Sequence, residues 1–165
     1  MKRAFQLSWA IGLGAIGLSA LAHADPPPPS AASKATVAPD AKSSLTVIVE
    51  GFHSDAGDAL FALFRTEQGF PKEPLKAAAR QAAHISGKSA EANFTGLVPG
   101  DFAVSVLHDE DRDRKLKTGL FGIPSEGVGF SRNALGNFGP PSWADAKMKL
   151  NPGVHLTIKL RMHYY

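Results

Sequence analysis

Cysteine does not occur anywhere in the 165 residues. Neither a disulfide framework nor a thiolate-held metal is therefore open to this chain, and its stability has to come from a packed core. Long apolar stretches are almost as scarce. Residues 9–21 form one sustained hydrophobic run, broken by Gly12, Gly14 and Gly17, and it falls short of the about 20 apolar residues that a membrane span requires. A long amphipathic helical pattern is lacking, as is any strong excess of one charge, with 18 basic against 15 acidic residues. Assembled catalytic motifs are missing too. No strand-to-helix nucleophile elbow is present, and the glycine-rich run 119–129 lacks the strand-to-helix context of a phosphate cradle.

What is present begins with an export signal. Lys2 and Arg3 precede the apolar run, and Ala22 and Ala24, on either side of His23, supply the small residues of a cleavage site, so residues 1–24 read as a secretory signal peptide. Its removal leaves 16 basic against 15 acidic residues, a formal charge of +1. Basicity is then no argument for a nucleic-acid partner, and no transmembrane span is expected in the mature chain. Residues 25–43, rich in Pro, Ala and Ser, have almost nothing to bury and read as a disordered linker. The remaining 44–165 have the size of one domain. The expected location is periplasmic or extracellular.

Within that domain, apolar residues recur with period two. Leu45, Val47 and Val49 share one face, as do Ala90, Ala92 and Phe94, then Phe102, Val104, Val106 and His108, and finally Leu156, Ile158, Leu160 and Met162. Residues 59–65 are apolar on both faces, as a central strand would be. A hairpin is expected between the strands at 45–52 and 59–65, and another between the last two strands. Residues 75–83 read as irregular or one-turn helical chain leading into a short strand near 82–86. About seven strands joined by turn signals predict a single all-β domain, an antiparallel two-sheet sandwich, immunoglobulin-like or transthyretin-like, with one long ordered loop.

That loop, residues 108–143, is too long and too particular for a connector. It opens on His108 and on carboxylates at alternate positions, Asp109, Asp111 and Asp113. Gly122, Pro124, Gly127, Gly129, Pro140 and Pro141 are suited to shape it. Phe121, Phe130, Phe138 and Trp143 are suited to anchor it or to present a contact surface.

The run from Leu97 to Val104, with His108-Asp109-Glu110, Gly122-Ile123-Pro124, Glu126-Gly127, Gly129-Phe130-Ser131 and Gly139-Pro140-Pro141-Ser142 in register behind it, resembles an uncharacterised bacterial exported-protein family, domain of unknown function 2141. The resemblance covers residue 45 to the C-terminus. It implies a transthyretin-like or carboxypeptidase-regulatory-like sandwich and no established activity. The loop usual in that family is similar to HDENGNGKLDTN; here Arg114 stands where that pattern has glycine, and Lys117 where it has Asp.

Three chemistries are open to the loop. Alternate carboxylates can converge on a hard cation such as Ca²⁺, which takes several oxygen ligands. Asp109, Asp111 and Asp113, helped by Glu126, Asn133 or backbone carbonyls, are the candidate ligands. An EF-hand is excluded, because its sixth and twelfth positions hold Arg114 and Leu120. Alternatively, the same carboxylates pair in solvent with Arg112, Arg114, Lys115 and Lys117. A hydrolase reading takes His108 as a general base beside Asp109 and Glu126, with Ser125 or Ser131 as nucleophile. The two serines are otherwise expected to matter little to stability. His53, His84, His155 and His163 are too scattered to suggest a transition-metal site. The functional readings are thus a binding or structural module of the cell envelope facing an unknown envelope protein or small ligand, a small hydrolase, or a purely structural domain.

Overall fold

The computed structural model describes residues 37–119, 124–137 and 139–165. Among them are eight strands: β1 (Ser43–Glu50), β2 (Asp58–Phe64), β3 (Ala79–His84), β4 (Ser89–Leu97), β5 (Gly100–Asp109), β6 (Val128–Phe130), β7 (Met148–Leu150) and β8 (His155–Arg161). Among the described residues helix is confined to the single turn α1 (Trp143–Ala146) and to short 3₁₀ turns at Pro74–Lys76 and Ser131–Asn133. The strands form two sheets in the orders β4-β1-β8 and β3-β2-β5-β6, with β7 also on β5. This is the all-β two-sheet sandwich that the period-two rows predict.

Those rows supply the core. Leu45, Val47 and Val49 of β1, Ala90, Ala92 and Phe94 of β4, and Ile158 and Leu160 of β8 face Phe61 and Leu63 of β2 and Phe102, Val104 and Val106 of β5 in one cluster. Each larger apolar side chain so buried stabilises the fold by about 1.5–3 kcal/mol relative to exposure.

The expected hairpins do not form. β1 and β2 lie in different sheets, β1 between β4 and β8 and β2 between β3 and β5. The chain instead crosses the end of the sandwich between them, where Asp55 accepts the backbone N–H groups of Gly87 at 2.9 Å and Lys88 at 2.8 Å. β7 and β8 are likewise parted: β7 pairs with β5, and β8 runs parallel to β1 with Leu45 opposite Leu156. Alternation specifies which side chains face inward, and a strand can satisfy that from either sheet. It leaves the partner open. The central position read for β2 from its two apolar faces does hold. The 74–76 turn agrees with the one-turn helix expected there, whereas β3 begins at Ala79, ahead of residues 82–86.

The second apolar face of β2 has its own cover. Ala62, Phe64 and Ala103 are buried there. Phe70, from the loop after β2, meets Phe64, Phe130 and Trp143 edge-on at centroid separations of 5.4, 6.4 and 5.8 Å. Aromatic contacts of this geometry add about 0.5–1.5 kcal/mol each beyond area burial. They tie the return limb of the long loop to the outside of the larger sheet.

Candidate functional site

β5 delivers His108 to the end of the sandwich. It closes the inward row Phe102, Val104, Val106, and its side chain is fully buried. The ring meets Phe52 edge-on at 5.1 Å. Its Nε2 lies 2.9 Å from the Ala56 carbonyl, which can only accept, so the proton sits on Nε2. Its Nδ1 then accepts from the Tyr164 hydroxyl at 2.7 Å. That hydroxyl in turn accepts the His53 N–H at 3.0 Å, and the His53 and Tyr164 rings stack. Burial pushes the Tyr164 phenol above its ordinary range. Tyr164 has the same parity as Leu156, Ile158, Leu160 and Met162, so continuing that row by one step past β8 would have found it.

Gly127 makes this arrangement possible. A Cβ there would lie 2.4 Å from the Tyr164 ring. Its carbonyl accepts the His108 N–H at 2.9 Å, while Val128 exchanges backbone bonds with His163 at 2.9 and 2.8 Å. The return limb therefore bonds to β5 on one side and to the chain beyond β8 on the other, closing a corner of the sandwich.

Asp109, immediately after His108, is buried although ionisable. Both its oxygens are bonded within the loop: Oδ1 accepts the Asp113 N–H at 3.0 Å and Oδ2 the Arg114 N–H at 2.9 Å. The turn that aims these amides at the carboxylate puts Arg112 and Arg114 in the left-handed region, with φ of 61° and 60°. That is costly for side chains other than Gly, Asn and Asp. Arg114 thus occupies the glycine position of the resembling pattern with a glycine conformation.

Across from this turn, residues 117–118 run antiparallel to 124–125. Thr118 bridges Pro124, and the Ser125 N–H donates to the Lys117 carbonyl at 2.9 Å. This brings Glu126 back to the loop's beginning, where it is buried and its Oε2 accepts the Lys117 N–H at 3.0 Å. Carboxylate oxygens of Asp109, Asp111 and Glu126 lie within 4.8 Å of one another, the one such His/Cys/Asp/Glu group among the described residues.

Asp113 is not in that trio. Its Oδ1 accepts the Lys115 N–H at 2.7 Å, so of the four candidate carboxylates Asp109, Asp111 and Glu126 converge and Asp113 does not. The solvated pairing pattern is also only partly realised: Arg112 bonds Asp58 at 3.1 Å, Lys117 pairs with Asp111, and Asp109 uses backbone donors instead. The Lys117 ammonium holds the Asp111 carboxyl below its ordinary range, and the same bond pushes Lys117 up. Asn133 lies elsewhere, its Oδ1 accepting the Arg161 N–H at 2.8 Å.

The hydrolase constellation is not assembled. Both nitrogens of His108 are bonded to Tyr164 and Ala56. Ser131 is wholly buried and holds β5 to the end of α1, its Oγ accepting the Val104 N–H at 3.0 Å and donating to the Ala146 carbonyl at 2.7 Å. That role also overturns its expected indifference to stability. Ser125 is exposed. His84 pairs with Asp58 and His155 with Ser44 and Thr46, without convergence.

Of the shaping and anchoring residues, Phe130, Gly129 and Pro141 are buried, Pro124 and Trp143 half-buried and Pro140 exposed. Phe121, Gly122 and Phe138 lie outside the described residues.

Residues 47–157 match the family described as uncharacterised protein conserved in bacteria, DUF2141. The chain belongs to that family. No curated protein matches it. Among solved structures it is similar to a pilus-presented adhesin, Spy0125 (Cpa), at 12% identity with a TM-score of 0.26, and to a cysteine-to-alanine mutant of that adhesin, also at 12% identity, with a TM-score of 0.22. In both cases the alignment covers 79% of this chain and 29% of the adhesin, so this DUF2141 chain spans less than a third of the adhesin's length. A likeness of that size carries no argument about fold or function.

Proposed function

We propose that this DUF2141 protein is an exported binding or structural module of the bacterial cell envelope, with residues 108–143 as its working surface. One observation supports the reading: the described parts of the loop bury polar groups, Asp109, Glu126 and Ser131, that a simple connector would not need. Burying such groups costs free energy unless their partners are in place. The signal-like N-terminus and the proline-rich spacer after it support delivery to the envelope. The occupant of the surface is an envelope protein or a small ligand.

A photo-crosslinking residue placed at Leu135, half-exposed within the loop, tests the reading in cells of the native host. It should trap a discrete envelope component that the same group at Leu75, highly exposed outside the loop, does not. Equal trapping at both sites, or none at either, refutes the working surface and leaves a purely structural domain. Intact-mass measurement of the exported chain should find residues 1–24 removed; an unprocessed N-terminus in the membrane fraction refutes a cleaved signal.

A second reading concerns the same loop. The convergence of Asp109, Asp111 and Glu126 within 4.8 Å supports a weak oxygen-ligated cation, Ca²⁺ being the natural probe. Thermal melts of the purified chain in EDTA and in millimolar calcium test it. A higher midpoint in calcium is expected, and identical melts refute calcium binding in that range.

A further inference from the structure

The edge of a sheet carries a row of backbone N–H and C=O groups that no neighbouring strand takes up. In the sheet β4-β1-β8 the two edges are treated differently. Along β4 the side chain of Gln81 closes the row, its Oε1 accepting the Asn93 N–H at 3.1 Å and its Nε2 donating to the Asn93 carbonyl at 2.6 Å. β8 turns the backbone groups of its even-numbered residues to β1, a ladder that the Met162 N–H continues by donating to the Glu50 carbonyl at 2.9 Å. Those of His155, Thr157, Lys159 and Arg161 therefore point away from β1. Asn133 accepts the Arg161 N–H at 2.8 Å, and Val128 takes up His163 just beyond. Among the described residues, nothing bonds the backbone groups of Thr157 or Lys159 on that open side.

We propose that residues 155–159 are a docking edge for an extended acidic segment of a partner protein, which adds to β8 as a further strand. In strand addition the backbone bonds supply affinity and alternate side chains supply selectivity. The open stretch is as long as an ordinary short strand. Its outer-face side chains, His155, Thr157, Lys159 and then Arg161, are all exposed, and the carboxylate paired there is Glu50, 3.9 Å from Lys159. Lys159, Arg161 and His163 also line an open hollow of about 400 Å³ at the end of the stretch, together with Glu50 and Asn133. Two fixed cations thus face one resident carboxylate, which leaves positive charge for an incoming acid. On the inner face Leu156 is only partly buried against the core, so the residues laid over it have to be apolar. The pattern recognised is acidic and apolar residues in alternation. A second copy of this chain in antiparallel register would set the basic row against itself, which is destabilising, and a lysine on an edge discourages such self-pairing. This goes beyond the 108–143 reading and does not depend on it.

A short end-blocked peptide alternating Glu and Val is the probe, and one alternating Lys and Val is the control. Fluorescence anisotropy on the purified chain should show saturable binding of the acidic peptide and none of the basic one. Hydrogen exchange should show the Thr157 and Lys159 amides slowed by the acidic peptide. Lys159→Glu combined with Arg161→Glu should weaken that binding by about tenfold or more, since attractive cross-strand pairs become repulsive ones. The same double variant should admit the basic peptide. Thr157→Pro removes an N–H that β1 does not use, at the kind of edge position where proline is tolerated, and should lose the acidic peptide. Should that variant fail to fold, the acidic peptide methylated at its backbone nitrogens takes its place and should not bind the parent. Failure of the acidic peptide to bind, equal binding of both peptides, protection elsewhere than β8, or undiminished binding by Thr157→Pro or by the methylated peptide overturns the proposal. So does protection of both amides in the free chain: at dimer size the occupant is a second copy, and at monomer size it is a segment of this chain.

Discussion

Tyr164→Phe isolates the hydroxyl that ties the last residues of the chain to the buried histidine. The substitution keeps the ring, its stack on His53 and its packing against Gly127, and removes only the oxygen that lies 2.7 Å from His108 Nδ1 and 3.0 Å from the His53 nitrogen. The two lost bonds are not equivalent. His53 is exposed and its N–H can turn to water, whereas His108 is fully buried. Its Nδ1 has a second polar neighbour in the Glu110 carboxylate at 3.4 Å, but an ionised carboxylate has no proton to donate. The unsatisfied ring nitrogen should therefore set the cost, about 1–3 kcal/mol for a buried acceptor left without its donor. Urea denaturation of the parent and Tyr164→Phe chains should show a lower midpoint at unchanged slope. Combining Tyr164→Phe with His108→Leu should cost less than the sum of the two single changes, since the acceptor is then gone as well. A Tyr164→Phe protein as stable as the parent, or strict additivity in the double variant, refutes the assignment of the hydroxyl as donor to His108.

Ser131→Ala should cost about 1–3 kcal/mol, because the Val104 N–H and the Ala146 carbonyl lose their shared buried partner, whereas Ser125→Ala on the exposed limb should stay within about 0.5 kcal/mol. Denaturation midpoints of the two variants check the contrast. Arg114→Gly should stabilise the chain by about 0.5–1 kcal/mol, the relief of a left-handed backbone exceeding the entropy that glycine adds to the unfolded state. A fall in the thermal midpoint of that variant would mean that the arginine side chain contributes more than its backbone strain costs.

How much of this was legible beforehand differs from residue to residue. The inward rows of β1, β4, β5 and β8 were legible because side chains on a strand alternate strictly and one face of each must be dry. His108 could be placed at the core's edge for the same reason. The loop could be singled out by its length and by carboxylates at alternate positions. Glu126 could be named beside the aspartates, but that it, and not Asn133 or Asp113, meets Asp109 and Asp111 was not legible, since it depends on the limb 124–126 folding back along 117–118. Ser131, a candidate nucleophile for His108, proved to be tied to α1, a bond set by how α1 meets β5.

The sequence by itself thus determined the all-β class, the buried rows and the segment in which the polar groups concentrate, all consequences of local periodicity and composition. Only the tertiary structure decided which strands are neighbours, with β1 and β8 paired in parallel across the whole length of the domain. It alone seated Tyr164 on His108 and Lys117 on Asp111. Alternation tells a residue which way to face, but the partner it meets depends on chain crossings between sheets, whose free energy is shared among contacts far apart in sequence.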